Sequence, residues 1–452
     1  MGLILLEYDG PHSFDTGRYR TICRDAQANG DRIGFCSRSD WPLPDMDSAL
    51  SNAHPRPISF PVAEDDLREL LTSGDKAIAF LPSGTGWTYP EFTRVCSEDN
   101  RLLPWAIATA PANISSQISE QPVKGWIASS ALALAMLRSA KTIDSLKLSA
   151  MVDRIRAERI PVHWLSAKIR FDGDQPEPDA GQDPAITSES RVLALVPHFQ
   201  CEEWLEQCLM SLAHQTRPLD AIVVMDDASD DPPVEICSAF PNVTLVQSPD
   251  TVGPYRLVQS VVGQAPFDAY LFQDADDWTA CDRLELLLAA AEHHGADLIG
   301  CQQARLFHDR KNFFTMTFPL DVNWGLANAP SHGLAHPTSL VSRRLLTKIA
   351  GFSSGMGFGA DSEFLNRAVF AGRVVNTPYL SYFWRGRPMS LTNSPETGHA
   401  SEIRQKMKQT LYRYYWSAQR DHQTGKEVSL PPLCPSEPIA LKHLCGPELP
   451  QD

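Results

Sequence analysis

Short apolar runs alternate with amphipathic stretches along most of the chain. An apolar run of four to eight residues set between helical patterns is what a strand buried on both faces looks like. In the first half the pattern predicts strands at Leu3–Glu7, Arg32–Cys36, Lys76–Leu81, Trp105–Thr109 and Pro161–Leu165. It predicts helices there at Ala63–Thr72, Ser130–Ser139 and Ser145–Glu158. In the second half strands are predicted at Val192–Val196, Ala221–Met225, Val243–Gln247, Ala269–Phe272 and Asp297–Gln302. The helices between and after them are Glu202–Gln215, Tyr255–Gln264, Cys281–His294, Arg343–Ile349, Ser362–Ala371 and residues 399–420. The repeated strand–helix–strand order implies an α/β fold with a mostly parallel, doubly wound sheet.

Residues 172–190 interrupt this alternation with Asp, Pro, Gly and Ser and almost no large apolar residue, the composition of a linker. The expected organisation is an α/β domain at 1–171, the linker, a second α/β domain at 191–398, and a C-terminal segment at 399–452. That segment opens with a helix placing Arg404, Lys406, Lys408 and Arg413 among Tyr412, Tyr414, Tyr415 and Trp416. Such a helix either packs on the core or lies on a membrane surface. From about residue 430 the tail is Pro-rich and expected to pack poorly.

The two halves share more than alternation. The run KAIAFLPSGTGW, ending at Trp87, matches the run that ends at Trp278, and AERIPV (157–162) matches AGRVVN (371–376). DRIGFCSRSD (31–40) matches the strand and loop of DAIVVMDDASD, in the same order. We read a duplicated α/β unit. Under that alignment Asp274, Asp276 and Asp277 correspond to Ser83, Thr85 and Gly86, Asp361 to Lys147, and Asp226 to Cys36. The first copy has lost these acids, which suits a scaffold, acceptor-binding or dimerising role.

Net charge is −15 with a pI near 5.3, which argues against a nucleic-acid partner because phosphate backbones need basic surface. Ten cysteines without a CxxC pair suggest reduced thiols in a cytoplasmic protein. MGLILLEYDG reads as a first strand rather than a signal peptide, and no apolar stretch is long enough to span a bilayer. A soluble, cytoplasmic protein is expected, with the aromatic and basic helix as the one candidate for membrane association.

The densest chemistry lies in DAYLFQDADDW (268–278), where a buried-strand pattern runs into Asp274, Asp276 and Asp277. Three crowded acids repel one another unless a positive charge sits among them, and hard oxygen ligands suit Mg²⁺ or Mn²⁺. Ligands of open α/β sheets bind outside the carboxyl ends of strands. The pattern proposes a divalent cation holding a phosphorylated substrate.

PHF (197–199), VVMDDASD (223–230), FQDADDW (272–278) and GADSEFLNR (359–367), in that order, resemble the motifs of glycosyltransferase family 2, which has the GT-A fold. The resemblance covers roughly residues 191–392 and implies tandem GT-A-like domains, the first degenerate, followed by a C-terminal helical tail. It implies an inverting, metal-dependent hexosyl- or N-acetylhexosaminyl-transferase of glycan or polysaccharide biosynthesis. The donor would be a nucleotide-sugar, expected to be a UDP-sugar. The acceptor would be a glycan, a lipid-linked glycan or a protein, and a homodimer is compatible with it.

By the same resemblance, Asp274 and Asp276 touch the nucleotide, and Asp277, or Asp276, ligates Mn²⁺ or Mg²⁺. One of Asp227 and Asp226 binds the base, with Pro197 and Phe199 beside it. Asp361 is the general base toward the acceptor hydroxyl, although this chain has Ala360 where members often carry a second acid. Glu363 is the alternative base, but residues two apart on a helix do not share a face. Arg256 and His198 are candidate nucleotide contacts, and His336 lies where the family binds a sugar. Arg385, Arg387 and Ser390 could close over the diphosphate, since guanidinium forks fit phosphate. Two other readings stay open: a non-catalytic carbohydrate- or nucleotide-binding protein, and a sugar-phosphate nucleotidyltransferase. The second lacks the basic Gly-rich loop after its first strand, where this chain has VPHFQCEEW.

Overall fold

The computed structural model describes residues 2–8, 32–37, 57–59, 77–81, 106–109, 126–129, 162–168, 176–307, 312–327, 330, 333–387, 398 and 401–450. The chain divides into two compact units, Met1–Ala167 and Lys168–Asp452.

In the first unit β1 (Gly2–Tyr8), β2 (Arg32–Ser37), β3 (Pro57–Ser59), β4 (Ala77–Leu81), β5 (Ala106–Thr109), β6 (Trp126–Ser129) and β7 (Val162–Leu165) form one sheet in the order β3-β2-β1-β4-β6-β5-β7. Only β6 runs against its neighbours, β4 and β5. The other pairs are parallel. The helices expected at 63–72, 130–139 and 145–158 lie outside the described residues, as do Ser83, Thr85, Gly86 and Lys147.

The short β8 (Ala167–Lys168) follows at the divide. The second unit is built on β9 (Val192–His198), β10 (Ala221–Asp226), β11 (Val243–Gln247) and β12 (Ala269–Phe272), all parallel. To these are added β13 (Trp278–Thr279), β14 (Leu298–Phe307), β15 (Asn312–Met316), β16 (Leu340–Ser342), β17 (Val374–Gly386) and β18 (Lys442–Cys445). The order is β13-β17-β14-β16-β12-β9-β10-β11-β18, with β15 on β14. β16 is antiparallel to both β12 and β14, while β14 and β17 are parallel.

The centre of this sheet is apolar on both faces. Along β9, Val192, Ala194 and Val196 enter one core cluster while Leu193 and Leu195 enter the other, all with no exposed surface. A side-chain period of two and burial on both sides explain why the strand reads as a continuous apolar run. The helices Glu202–Ala213, Pro254–Val262, Arg283–His294, Arg343–Lys348 and Ala360–Ala371 fall within two residues of the expected bounds. Gly295 closes the third in the left-handed conformation, φ 60°.

Two expectations from composition are corrected. The described part of the linker, from residue 176, lies on the second unit: Ile186 is fully buried, Gly181 N–H donates to the His293 carbonyl, and Arg344 reaches Asp183 at 3.1 Å. The Pro-rich tail is also packed. β18 completes the edge of β11 in antiparallel sense, Leu430, Ile439, Leu441 and Leu449 pack on the core, and Thr244 Oγ1 donates to the Pro447 carbonyl. An open sheet edge exposes unpaired backbone groups, and the tail satisfies them. The helix Glu402–Gln423 buries Leu411, Tyr415, Ala418 and Gln419 against the unit. Among the described residues no helix is long and apolar enough to cross a membrane. Among the described residues Cys201, Cys208, Cys237, Cys301, Cys434 and Cys445 are free thiols.

Candidate active site

A cavity of about 880 Å³ opens at the carboxyl ends of β9, β10 and β12. The parallel strands stop there, and the chain turns away in loops that carry polar side chains. After the fully buried β12, Gln273 and a tight turn, closed by the Asp277 N–H to the Asp274 carbonyl at 3.1 Å, carry the acids. The carboxylates of Asp274, Asp276 and Asp277 offer oxygens all within 4.8 Å of one another.

Asp274 and Asp276 line the cavity. Asp277, expected as the leading metal ligand, is turned into the protein: Tyr382 donates its phenol O–H at 2.8 Å and Arg385 its backbone N–H at 2.7 Å. β13 pairs with β17 through Trp278–Phe383 and Thr279–Tyr382, and this pairing holds the acid turn against Tyr382. Trp278 stacks on Phe383 with centroids 5.4 Å apart. Arg283 is buried beneath the turn, donating to Gln273 Oε1 at 2.9 Å and to the Phe272 and Pro337 carbonyls. Burial, then the charges of Asp276 and Asp361, pushes the Asp274 carboxyl up to about 7, against the opposing pull of Arg387 and Arg283. Burial, then the charges of Asp276 and Asp274, holds Asp277 well above the usual carboxylate range. This crowding of acids is the condition that a divalent cation relieves, and the donor set is all oxygen.

Two arginines face the acids. Arg387 pairs with Asp276 and lies over the Trp204 ring at 5.2 Å. Arg385 donates to the Asp276 carbonyl at 2.8 Å and to Gln207 Oε1 at 2.7 Å, and stacks on Trp278 at 4.9 Å. Both line the cavity. Ser390 lies outside the described residues.

At the other strand ends the two candidate base-binding acids separate. Asp226 is fully buried and saturated, accepting from His198 Nδ1 at 2.8 Å, the Ser229 N–H at 2.9 Å and Gln247 Nε2 at 3.0 Å. It does not line the cavity, whereas Asp227 does. Asp227 accepts the N–H groups of Val252 and Gly253 at 2.7 and 2.9 Å, which fixes the carboxylate and leaves lone pairs toward the cavity. Pro197, His198 and Phe199 line the same wall, with Phe199 exposed. Arg256 is not there: its Nε donates to the Glu437 carbonyl of the tail at 3.0 Å. Helical spacing alone could not show that its face is covered by the C-terminus.

Asp361 stands in the first turn of the helix Ala360–Ala371 and lines the cavity. Gly359 before it has φ +80°, a left-handed conformation that favours glycine. Glu363, the alternative base, is fully buried in a two-pronged ion pair with Arg367 at 2.7 and 2.8 Å and accepts the Leu433 N–H. It faces away from the cavity, as the helical offset from Asp361 requires. His336 lines the cavity 4.0 Å from the Phe272 ring centroid. Burial lowers its pKa to about 4 against the opposing charge of Asp361, so it is neutral at pH 7. Tyr255, which the motifs do not mark, meets the Asp361 backbone N–H. Burial and the nearby Asp361 and Asp274 push its phenol well above its usual value. Tyr382, Arg283 and Tyr255 carry no local sequence signal, because their partners come from distant segments.

Residues 194–358 match the profile of glycosyl transferase family 2. The chain is 26% identical over 245 residues to the uncharacterized glycosyltransferase EpsJ of Bacillus subtilis, covering 50% of this chain and 69% of that protein. It is 27% identical over 113 residues to the glycosyltransferase GlyA of Streptococcus pneumoniae, covering 24% of this chain and 16% of that one. Among solved structures, S. aureus TarS in complex with UDP-GlcNAc is similar at 19% identity and TM-score 0.41, over 49% of this chain and 65% of that one. The mannosyltransferase PcManGT of Pyrobaculum calidifontis is similar at 16% identity and TM-score 0.34, over 62% and 72%. The chain thus spans less than two thirds of the TarS chain, and only a small part of GlyA. Strand-end acids, motif order and family profile agree: residues 194–358 belong to glycosyltransferase family 2, and the chain carries a glycosyltransferase domain.

Proposed function

We propose that the second unit transfers a hexosyl or N-acetylhexosaminyl group from a UDP-sugar to an acceptor hydroxyl, with inversion, in glycan or polysaccharide assembly. One observation carries the reading: a single cavity gathers Asp227, the Asp274–Asp276 turn, Arg385, Arg387 and Asp361 from separate strand and helix ends. Phe199 and Pro197 flank the base, and Asp227 accepts its imide N–H. A divalent cation fits the oxygen cluster; Asp274 and Asp276, which line the cavity, would hold it with Asp277 packed behind them, and when bound it stabilises the charge on the leaving diphosphate. Arg385 and Arg387 hold the diphosphate by charge-assisted hydrogen bonds. Asp361 takes the proton of the acceptor hydroxyl. The acceptor oxygen forms its bond to the anomeric carbon as the bond from that carbon to the diphosphate breaks, and the diphosphate oxygen leaves with the electron pair of the broken bond. A single in-line displacement inverts the anomeric carbon. Neutral His336 offers the sugar one donor and one acceptor nitrogen.

The two sheets support a further element of the reading. β3-β2-β1-β4-β6-β5-β7 and β11-β10-β9-β12-β16-β14-β17 have the same order and the same single antiparallel strand. We read the first unit as a duplicated GT-A-like copy that lacks the acids and serves as a non-catalytic scaffold.

The test is UDP release with Mn²⁺ across a panel of UDP- and GDP-sugars. Donor-dependent release by the wild type, reduced about 10²–10⁴-fold in Asp361→Asn with UDP binding retained, is expected. Binding without turnover would favour a carbohydrate- or nucleotide-binding protein, and release of pyrophosphate would favour a nucleotidyltransferase.

A further inference from the structure

The wall of the cavity beyond Asp361 is basic, not acidic. It comes from the helix Glu402–Gln423, whose Arg404 and Lys408 both line the cavity. One helical turn separates them, so they share a face. The helix is firmly seated: Leu411 and Tyr415 are buried, the Tyr415 phenol donates to the Leu326 carbonyl, and Gln419 Nε2 donates to the Ala327 carbonyl at 2.9 Å. Lys406, on another face, pairs with Glu402 at 2.6 Å and does not line the cavity. The Arg404 guanidinium lies over the Phe358 ring at 5.0 Å, and the Lys408 ammonium over Tyr412 at 5.5 Å. Phe358 and Tyr412 also line the cavity, and Phe358 stands just before the turn that carries Asp361.

The diphosphate end of the site already has Arg385 and Arg387 beside Asp276. An acceptor hydroxyl must reach Asp361, so the acceptor occupies the space next to Phe358 and Arg404. A neutral sugar needs no cations there; aromatic faces and hydrogen bonds hold it. Two cations on one face, each over an aromatic ring, match a ligand that joins a sugar ring to a negative charge.

We propose that the acceptor is an anionic glycan, whose phosphate or carboxylate is held by Arg404 and Lys408 beside the hydroxyl that faces Asp361. This rests on the transferase reading above. The test uses glucose, glucose 6-phosphate and glucuronic acid as probes, with affinities measured by ligand NMR in Mg²⁺, with and without saturating UDP. At least one charged probe should bind the wild type about tenfold or more tightly than glucose. Preference for the phosphate probe points to a phosphoglycan, and preference for glucuronic acid to a uronate glycan. Arg404→Gln/Lys408→Gln should lose the preference while UDP binding and melting temperature are kept, and Arg404→Lys/Lys408→Arg should keep it. Equal affinity for the three probes, no binding of any, or an unchanged preference in the Gln variant would overturn the proposal. So would loss of UDP binding in that variant, which would place the two cations on the donor. A wild type that does not bind UDP defeats the transferase reading instead, and the arms without UDP still decide the anion site.

Discussion

Replacing Asp274 by Asn isolates the tension between the acid cluster and the fold. The folded state raises this carboxyl from 3.8 to about 7. A displacement of that size corresponds to roughly 4 kcal/mol between the two protonation states, an upper bound because Asp274 and Asp277 share the repulsion. The sign follows from linkage. A folded pKa above the unfolded one means that the folded state binds more protons between the two values. The associated stability is therefore present below pH 3.8 and is lost as pH rises to about 7. Asn cannot ionise and loses nothing over that range. In a chelator, wild-type protein should lose roughly 2–3 kcal/mol of stability between pH 5 and pH 8 from this cluster. Asp274→Asn should lose less and melt several degrees higher at pH 8, at roughly 2–4 °C per kcal/mol for a unit of this size. Saturating Mn²⁺ should restore the wild type at pH 8 and help the variant much less, because the cation replaces the protons. The assay is thermal unfolding followed by tryptophan fluorescence at both pH values, with EDTA and with Mn²⁺. Parallel pH profiles for the two proteins in EDTA, or equal stabilisation by Mn²⁺, would refute the argument that repulsion among these acids creates a cation site.

Glu363→Ala should cost about 3–5 kcal/mol in urea unfolding, because it strands the buried Arg367 guanidinium; a loss of activity without a loss of stability would mean that Glu363 acts in the chemistry. Gly359→Ala forces a side chain into φ +80° at the start of the helix carrying Asp361, and should cost roughly 1–2 kcal/mol and lower kcat; unchanged kinetics and melting would show that the turn relaxes freely. Deleting residues 441–452 removes β18 from the edge of β11 and should lower the melting temperature and promote self-association by gel filtration; a monomer of wild-type stability would show that the edge needs no cover.

Much of the second unit was legible along the chain. Apolar runs at β9 to β12 mark strands because both their faces are buried, and the amphipathic period marks the helices that cover them. The acids were legible too, as polar residues where a strand ends, and the offset between Asp361 and Glu363 already separated their faces. The linker and tail were misread because composition reports what a segment lacks, not what surface awaits it. Residues 176–190 and 430–449 bring few apolar side chains, yet open backbone edges and a few buried residues dock them.

By itself the sequence determined the order of the four central parallel strands of the second unit and of the helices that cover them, the likeness of its motifs to glycosyltransferase family 2, and the set of acids from which a site could be drawn, while β13 and β15 to β18 went unread. Only the tertiary structure decided which acids face the cavity. Asp226 and Asp227 are neighbours in the chain, but Asp226 is the last residue of β10 and is claimed by the buried His198 ring, while Asp227 begins the loop that lines the cavity. Asp276 and Asp277 divide in the same way, because Tyr382 and the Arg385 N–H, more than a hundred residues further on, capture the second. The basic face of Arg404 and Lys408 belongs to the site only because its helix packs back over the cavity. Local pattern records which residues can carry charge; the packing of distant segments decides which of those charges a substrate meets.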